Sequence, residues 1–156
     1  MAANVLSLYR RITRWPAGHW LFSRAVCFKA PYFASITPSI ETLEANRCVA
    51  TIRHRRKVSN HLGTVHAIAL CNLAELSAGL MTDASLPPSM RWIPKGMTVE
   101  YLKKAVGTMH ATALPLQPIV AADEGYDLPV EVTVVDPGGE PVFRARIAMW
   151  VSPRRA

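Results

Sequence analysis

The fold is decided by the stretch His61-Leu-Gly-Thr-Val-His-Ala-Ile-Ala-Leu-Cys-Asn-Leu-Ala-Glu-Leu-Ser-Ala-Gly-Leu-Met81, in a chain of 156 residues. From His66 to Met81 this stretch contains no Lys, Arg or Pro, and Ala and Leu, which favour helix, dominate it. Because apolar residues occupy every side of the helical wheel, we expect a helix that is buried on all sides. It is too short to cross a bilayer, which takes about 20 apolar residues. The stretch therefore predicts a central helix enclosed by other elements.

Glu75 interrupts this apolar helix, with leucine and alanine neighbours and no basic residue within two turns. A carboxylate is rarely buried in full unless it is paired or takes part in chemistry. Two interpretations stay open. Glu75 is a working carboxylate, which we favour, or it has a structural role in which it reaches a water-filled groove or a hydrogen bond from Asn72, one turn back.

Length and composition indicate one ordinary globular domain. Half of the residues are apolar and 19% are charged, which excludes a disordered chain. The chain contains no run of 18 apolar residues, so no transmembrane span is predicted. Cys27, Cys48 and Cys71 are widely spaced among apolar neighbours, so we expect buried free thiols in a reducing compartment, the cytoplasm. No grouping of His, Cys and Asp has the spacing of a metal site, and none is predicted.

The net charge of +7 is concentrated at the N-terminus, which has no acidic residue before Glu41. Such a segment is either a mitochondrial transit peptide or a folded basic face that attracts anions such as membrane phosphates or a phosphorylated substrate. We favour the folded face, although a membrane-surface contact is not expected. Nucleic-acid binding is not predicted because no motif supports it. We favour a folded face over a transit peptide because the segment also carries large aromatic residues that look like core residues: Trp15, Trp20, Phe22, Phe28, Tyr32 and Phe33.

Two helices and a strand are predicted before the central helix. The first helix ends near Pro16, the second covers about residues 18–29, and the strand covers about residues 46–57. Thr64 is the expected N-cap of the central helix.

After the central helix, which we expect to end near Met81, the pattern becomes that of an antiparallel sheet. Residues 86–96 are predicted to form an irregular crossing, and Asp136-Pro-Gly-Gly139 is typical of a hairpin turn. Alternating apolar residues predict four strands, over about residues 97–105, 108–113, 130–134 and 143–151. A sheet curled around a single helix, in the α+β class, accounts for this order.

Two motifs give the chain a resemblance to the hot-dog fold thioesterases, specifically the branch of the phenylacetyl-CoA and 4-hydroxybenzoyl-CoA thioesterases. The first motif is Asn60-x-x-Gly63-x-x-His66-Ala67, followed by Leu73-Ala74-Glu75. The second is Val99-x-Tyr101-Leu102-Lys103-Lys104-Ala105-x-Gly107. The resemblance implies a hot-dog domain over residues 41–156, with its sheet wrapped around the long helix. Residues 1–40 then form an N-terminal helical extension that packs on this core.

The resemblance also implies roles for the residues of the first motif. Glu75 aligns with the catalytic carboxylate, and Asn60 aligns with a polar residue that orients the water or the thioester. The position of Ala67, which His66 precedes, supplies the backbone N–H that polarises the thioester carbonyl. The family commonly has His-Gly-Gly where this chain has His66-Ala67-Ile68. Ala67 keeps its N–H, but its methyl group and the Ile68 side chain narrow the space through which a substrate reaches that N–H. This difference from the family affects which substrates fit and whether they are hydrolysed.

The chemistry of a helix N-terminus is consistent with these roles. Ala67 lies in the first turn, where N–H groups are unpaired and the helix dipole stabilises a developing oxyanion. In a site of low dielectric constant, Glu75 can act as a general base or attack the thioester directly. Ala67 and Glu75 are eight residues apart, roughly 12 Å along a helix, so one substrate carbon cannot contact both within a chain. We therefore expect a homodimer, or a dimer of dimers, with antiparallel central helices.

The function we favour is an acyl-CoA thioesterase that needs no cofactor beyond the coenzyme A of its substrate. The alternative is a non-catalytic hot-dog module that binds acyl-CoA or fatty-acyl chains. His66 either hydrogen-bonds the loop at the helix start, which we favour, or transfers a proton. The candidates for binding the coenzyme A phosphates are basic residues that also suit a solvated strand edge: Arg91, Lys95, Lys103 and Lys104.

Overall fold

Six antiparallel strands wrap around one long helix in the computed structural model of the chain, which describes residues 4–154. Before the long helix come α1 (Val5–Ile12), α2 (Gly18–Lys29), a 3₁₀ turn (Pro31–Ser35), β1 (Ser39–Glu44), β2 (Arg47–Ile52) and a second 3₁₀ turn (Arg56–Val58). The long helix and the remaining strands are α3 (Ala67–Ser85), β3 (Met90–Tyr101), β4 (Met109–Pro115), β5 (Tyr126–Val135) and β6 (Pro141–Pro153). The strands lie in the order β1-β2-β4-β5-β6-β3. This is the α+β hot-dog arrangement that the sequence predicted.

The sheet closes on α3 because its inner face is built partly from alanine. Ala50 on β2, Ala111 and Ala113 on β4 and Ala145 on β6 are all fully buried. Such small side chains let the helix come close to the sheet, while larger residues fill the gaps between them. As a result, α3 contacts all six strands.

The expectation that α3 is buried on all sides is wrong along one stripe. Ile68, Glu75 and Asp83 are exposed, and Cys71 and Gly79 between them are half-buried. These positions recur every three or four residues, so they share one face of the helix. The sheet of one chain covers the rest of α3 and leaves this stripe open.

The N-cap of α3 is His66 rather than the predicted Thr64. Thr64 is held in the preceding loop by Asn60, and Val65 is extended because its N–H donates to the Ala105 carbonyl at 2.8 Å. The helix therefore begins only at Ala67, and it runs on to Ser85, four residues past the predicted end. Among the residues described, no helix is both long and apolar enough to cross a membrane.

The predicted irregular crossing is largely a strand, because β3 begins at Met90 and not at residue 97. Pro94 and Gly96 mark a bulge in its pairing with β6, which is why the sequence looks irregular there. Proline is tolerated because β3 is an edge strand of the sheet. The other edge strand, β1, was not predicted, and it begins at Ser39, two residues before the predicted domain boundary.

Both N-terminal helices form as predicted, and the segment packs on the core through a few buried residues, Tyr9, Phe22 and Ile36 among them. The Tyr9 hydroxyl donates to the Glu41 carbonyl at 3.0 Å. The expectation that the aromatics of this segment are core residues is wrong for most of them. Four of the six aromatics so predicted are exposed: Trp15 in the turn between the helices, Trp20 and Phe28 on α2, and Tyr32 in the 3₁₀ turn.

Two other local predictions are tested by the structure. Asp136 closes the predicted hairpin, accepting from the N–H groups of Gly138 and Glu140 at 2.9 and 3.0 Å. Cys27 and Cys48 are buried free thiols as expected, whereas Cys71 is only half-buried because it lies on the open stripe of α3.

Candidate functional site

The first turn of α3 presents one backbone donor with no partner. His66 caps the helix, and its Nδ1 accepts from the Ile68 N–H at 3.1 Å. The His66 carbonyl accepts from the N–H groups of Ala69 and Leu70. Within residues 4–154, the N–H of Ala67 is left without an acceptor. At the positive end of the helix dipole, such a donor can bind an oxyanion.

His66 therefore makes the hydrogen bond at the helix start that we favoured. Because Nδ1 accepts a backbone N–H, the proton of the neutral ring lies on Nε2. The ring itself is exposed at the helix start.

Glu75 lies two turns along α3, on its open stripe. The side chain is exposed and has no hydrogen bond or ion pair with any described residue. The alternative contact with Asn72 is wrong, because Asn72 is buried on another side of the helix and donates to the Ser35 hydroxyl at 3.1 Å. A free carboxylate is thus presented to whatever covers this stripe.

Asn60 organises the loop that leads to α3. Its amide oxygen accepts from the N–H groups of Leu62 and Thr64 at 3.0 and 3.1 Å, and its amide nitrogen donates to the Thr64 hydroxyl at 2.9 Å. A carboxamide has two N–H groups, so one donor of Asn60 stays available.

The four basic candidates are not brought together within one chain. Arg91 and Lys95 lie in the first half of β3, beside the C-terminal end of α3, while Lys103 and Lys104 follow β3 near the N-terminal end. The distance from Arg91 to Lys103 along an extended chain is roughly 40 Å. Two of the four are paired within the chain, Lys95 with Asp127 at 2.9 Å and Lys103 with Asp136 at 3.6 Å.

Tyr101 and Cys71 form a pair beside Glu75 that the sequence analysis did not assign to the site. The Tyr101 hydroxyl lies 3.3 Å from the Cys71 sulfur, one helical turn from Glu75. The Cys71 thiol, and after it partial burial, raise the pKa of Tyr101 to about 12, so its hydroxyl stays protonated at neutral pH. The one sequence signal was Tyr101 itself, within the second motif.

A small cavity of about 160 Å³ adjoins the start of α3. The buried amide oxygen of Asn72 has no hydrogen-bond partner among the described residues. A cavity of this size holds several waters, each of which takes about 30 Å³. The sequence did not reveal this cavity because the N-terminal extension builds one wall of it. Its lining includes Tyr32, Ser35, Lys57, His66, Ile68 and Asn72.

The described part of the chain contains no group of three His, Cys, Asp or Glu residues that could hold a metal ion. Its chemical features are instead an unpaired helix N-terminal N–H, a free carboxylate and a tyrosine hydroxyl, placed along one open face of α3 and the adjoining edge strand. These groups suit general-base or nucleophilic attack on an acyl group whose oxygen gains negative charge.

Comparison with known proteins places the chain in a family. A family model described as a domain of unknown function, DUF4442, matches residues 18–151, from α2 to the end region of β6. The chain belongs to this family. A comparison with curated protein sequences found no significant match.

Solved structures show which fold the DUF4442 domain of this chain shares. A crystal structure of a structural-genomics target is 45% identical, with a TM-score of 0.85, over 97% of this chain and 100% of that chain. A Pseudomonas aeruginosa protein of unknown function, described as a probable thioesterase, is 20% identical, with a TM-score of 0.75, over 90% of this chain and 97% of that one. A thioesterase family protein from Silicibacter pomeroyi is 15% identical, with a TM-score of 0.71, over 85% and 96% of the two chains. Thioesterase-family neighbours thus support the hot-dog fold.

Proposed function

We propose that this DUF4442 protein is an acyl-CoA thioesterase. The observation that carries the proposal is the free N–H of Ala67 at the start of α3, on the helix that also presents the unpaired carboxylate of Glu75. In the proposed reaction the Ala67 N–H binds the thioester oxygen as it gains charge. Glu75 activates a water as general base, or attacks the carbonyl carbon itself to form an anhydride that water then hydrolyses.

The proposed site is shared between two chains, because Ala67 and Glu75 of one helix are roughly 12 Å apart. Two antiparallel α3 helices related by a two-fold axis would bring Ala67 of one chain beside Glu75 of the other. The open stripe of α3 supports this dimer. So does β3, a 12-residue edge strand whose inner face exposes Pro94, Met97 and Tyr101. A homodimer, or a dimer of dimers, would cover both surfaces.

Further side chains have proposed supporting roles. The remaining N–H of the Asn60 amide orients the attacking water or the thioester. His66 holds the first turn of α3 by accepting the Ile68 N–H, which leaves the Ala67 N–H as the donor for the substrate. Lys104, which is exposed and unpaired among the described residues, is the best placed of the four basic candidates for a coenzyme A phosphate. Arg91, Lys95 and Lys103 contribute only if the second chain brings them near.

Substrate and setting are proposed from the two motifs. The resemblance to the phenylacetyl-CoA and 4-hydroxybenzoyl-CoA branch supports an acyl-CoA substrate without specifying its acyl group, and no cofactor is needed beyond the coenzyme A of the substrate. Three free cysteines suit a reducing compartment such as the cytoplasm.

A non-catalytic module that binds acyl-CoA or acyl chains is the second candidate. The observation that favours it is Ile68, whose side chain is 56% exposed directly after Ala67. This side chain narrows the approach to the oxyanion donor and adds apolar surface for an acyl chain.

The test is a panel of acyl-CoA esters, aromatic and straight-chain, assayed for release of free thiol. We expect hydrolysis of at least one ester, and we expect Glu75→Gln to lower kcat by about a hundredfold or more while circular dichroism and Tm stay unchanged. The matched control is Glu44→Gln, an exposed glutamate on β1, which should keep full activity. Wild-type turnover by folded Glu75→Gln would assign Glu75 a structural role. Binding of esters without thiol release would favour the module.

A further inference from the structure

A second concave surface lies on the face of the sheet turned away from α3. It is a groove of about 1000 Å³, with α2 as its wall and the outer faces of β1, β2 and β4 as its floor. Val49 and Thr51 line it, while Cys48 and Ala50, which alternate with them on β2, are buried on the α3 side. The sheet therefore separates this groove from the proposed thioester site.

The groove is strongly basic. Three arginines and two histidines line it, against the single carboxylate of Glu41, whose oxygen accepts from the Thr51 hydroxyl at 3.1 Å. This excess of positive charge lies in a concavity, where it attracts anions most strongly. The basic residues are His19, Arg24, Arg53, Arg55 and His110.

Two of these arginines have donors that no described residue satisfies. Arg24 donates from Nη2 to the Pro38 carbonyl at 2.9 Å, but its Nε is buried without a partner. Nη2 of Arg55 is also buried without a partner. Buried N–H groups are nearly always paired, and an acceptor in the groove would pair these two donors once the guanidinium groups turn toward it. The planar guanidinium matches the oxygens of phosphate.

The floor adds polar side chains in register. Ser39 of β1 pairs with Thr51 of β2, and Thr51 pairs with His110 of β4, so two hydroxyls and an imidazole lie in a row across three strands. His19, on the wall, is fixed by the contact of its Nδ1 with the Ile40 carbonyl at 3.1 Å. Donors on strands and on a docked helix are held more rigidly than donors on loops.

We propose that this groove is a binding site for a phosphorylated small molecule. The phosphate is bound by Arg24, Arg53 and Arg55, and the rest of the ligand lies over the hydroxyl and imidazole row. The volume exceeds what inorganic phosphate needs and falls within the range of small-molecule sites. The site is independent of the proposed thioesterase function, since no residue of that site lines the groove.

The experiment is titration calorimetry on the full chain at low salt, with inorganic pyrophosphate as probe. We expect measurable binding that Arg53→Gln weakens by about tenfold or more, the loss of one charge-assisted contact. Arg53 is exposed, so this variant should fold; Arg24→Gln is the second variant, with its Tm recorded. The control is Arg144→Gln, an exposed arginine on β6 outside the groove, which should bind as the wild type does.

Three outcomes would overturn the proposal. One is no binding of pyrophosphate at millimolar concentration. Another is equal weakening by Arg53→Gln and Arg144→Gln, which would mean attraction to the net charge alone. The third is equal affinity for citrate, which would mean that the groove does not select phosphate.

Discussion

At the scale of single residues, the N–H group that is capped in α3 and the N–H group proposed to bind the oxyanion belong to different residues. His66 satisfies the Ile68 N–H, and this leaves the neighbouring Ala67 N–H as the free donor. The sequence could place Ala67 in the first turn and Glu75 on the same helix, because both follow from the helical pattern. It could not show that Cys71 and Tyr101 meet beside Glu75, since that contact depends on how β3 lies against α3.

The capping role of His66 predicts a difference between two substitutions. His66→Ala removes an N-cap and should lower the free energy of unfolding by about 1 kcal/mol, a fall in Tm of about 2–4 °C. His66→Asn should keep both stability and thiol release, because Asn is a good N-cap. Thermal unfolding and the thioester assay on both variants check this. If stable His66→Asn loses activity, the ring does transfer a proton.

Burial of Cys48 predicts a loss of stability in alkaline solution. Burial raises the pKa of the Cys48 thiol to about 12, whereas in the unfolded chain it ionises near its usual value of about 8.5. The stabilisation is therefore complete below about pH 8.5 and is lost as pH rises toward 12, at up to about 1.4 kcal/mol per pH unit. Urea unfolding between pH 8 and 10 should show this slope, reduced in Cys48→Ala. An identical slope in the variant would contradict the assignment.

At the scale of elements, the secondary-structure predictions were correct where the signal lies within the segment itself. Both N-terminal helices and the hairpin at Asp136 have local signals, namely helical spacing and turn residues. The first half of β3 was missed because Pro94 and Gly96 are residues typical of loops. Only the pairing with β6 shows that they form a bulge in an edge strand. β1 was missed because its outer face is polar and it is only six residues long.

The N-terminal extension should be required for stability, through its buried side chains and not through its exposed aromatics. Deleting residues 1–35 removes Phe22 and Tyr9, which cover the β1 side of the core, so we expect aggregation or a large fall in Tm. A truncated chain as soluble and stable as the full one would contradict this.

A matched pair on α2 separates the two kinds of aromatic residue. Phe22 is 1% exposed and Phe28 is 91% exposed. Phe22→Ala should lower the free energy of unfolding by about 3–5 kcal/mol, and Phe28→Ala by no more than about 0.5 kcal/mol. Chemical denaturation measures both.

At the scale of the whole molecule, the open stripe of α3 and the unpaired edge of β3 lie side by side. The sequence predicted a helix buried on all sides, and the sheet of one chain covers only part of it. A second chain docked on this face would complete the burial and bring Glu75 to the Ala67 N–H of its partner. The sequence could suggest this only indirectly, through the roughly 12 Å between the two residues.

The shared site is tested most directly by mixing two inactive variants. Asn60→Ala and Glu75→Ala homodimers should each have little activity. After the two are unfolded together in equal amounts and refolded, half of the dimers are mixed. Each mixed dimer has one site with both lesions and one with neither, provided that Asn60 and Glu75 of a site come from different chains. We predict that thiol release recovers to roughly a quarter of the wild-type value. No recovery, with mixed dimers verified by native mass spectrometry, would contradict the two-chain site.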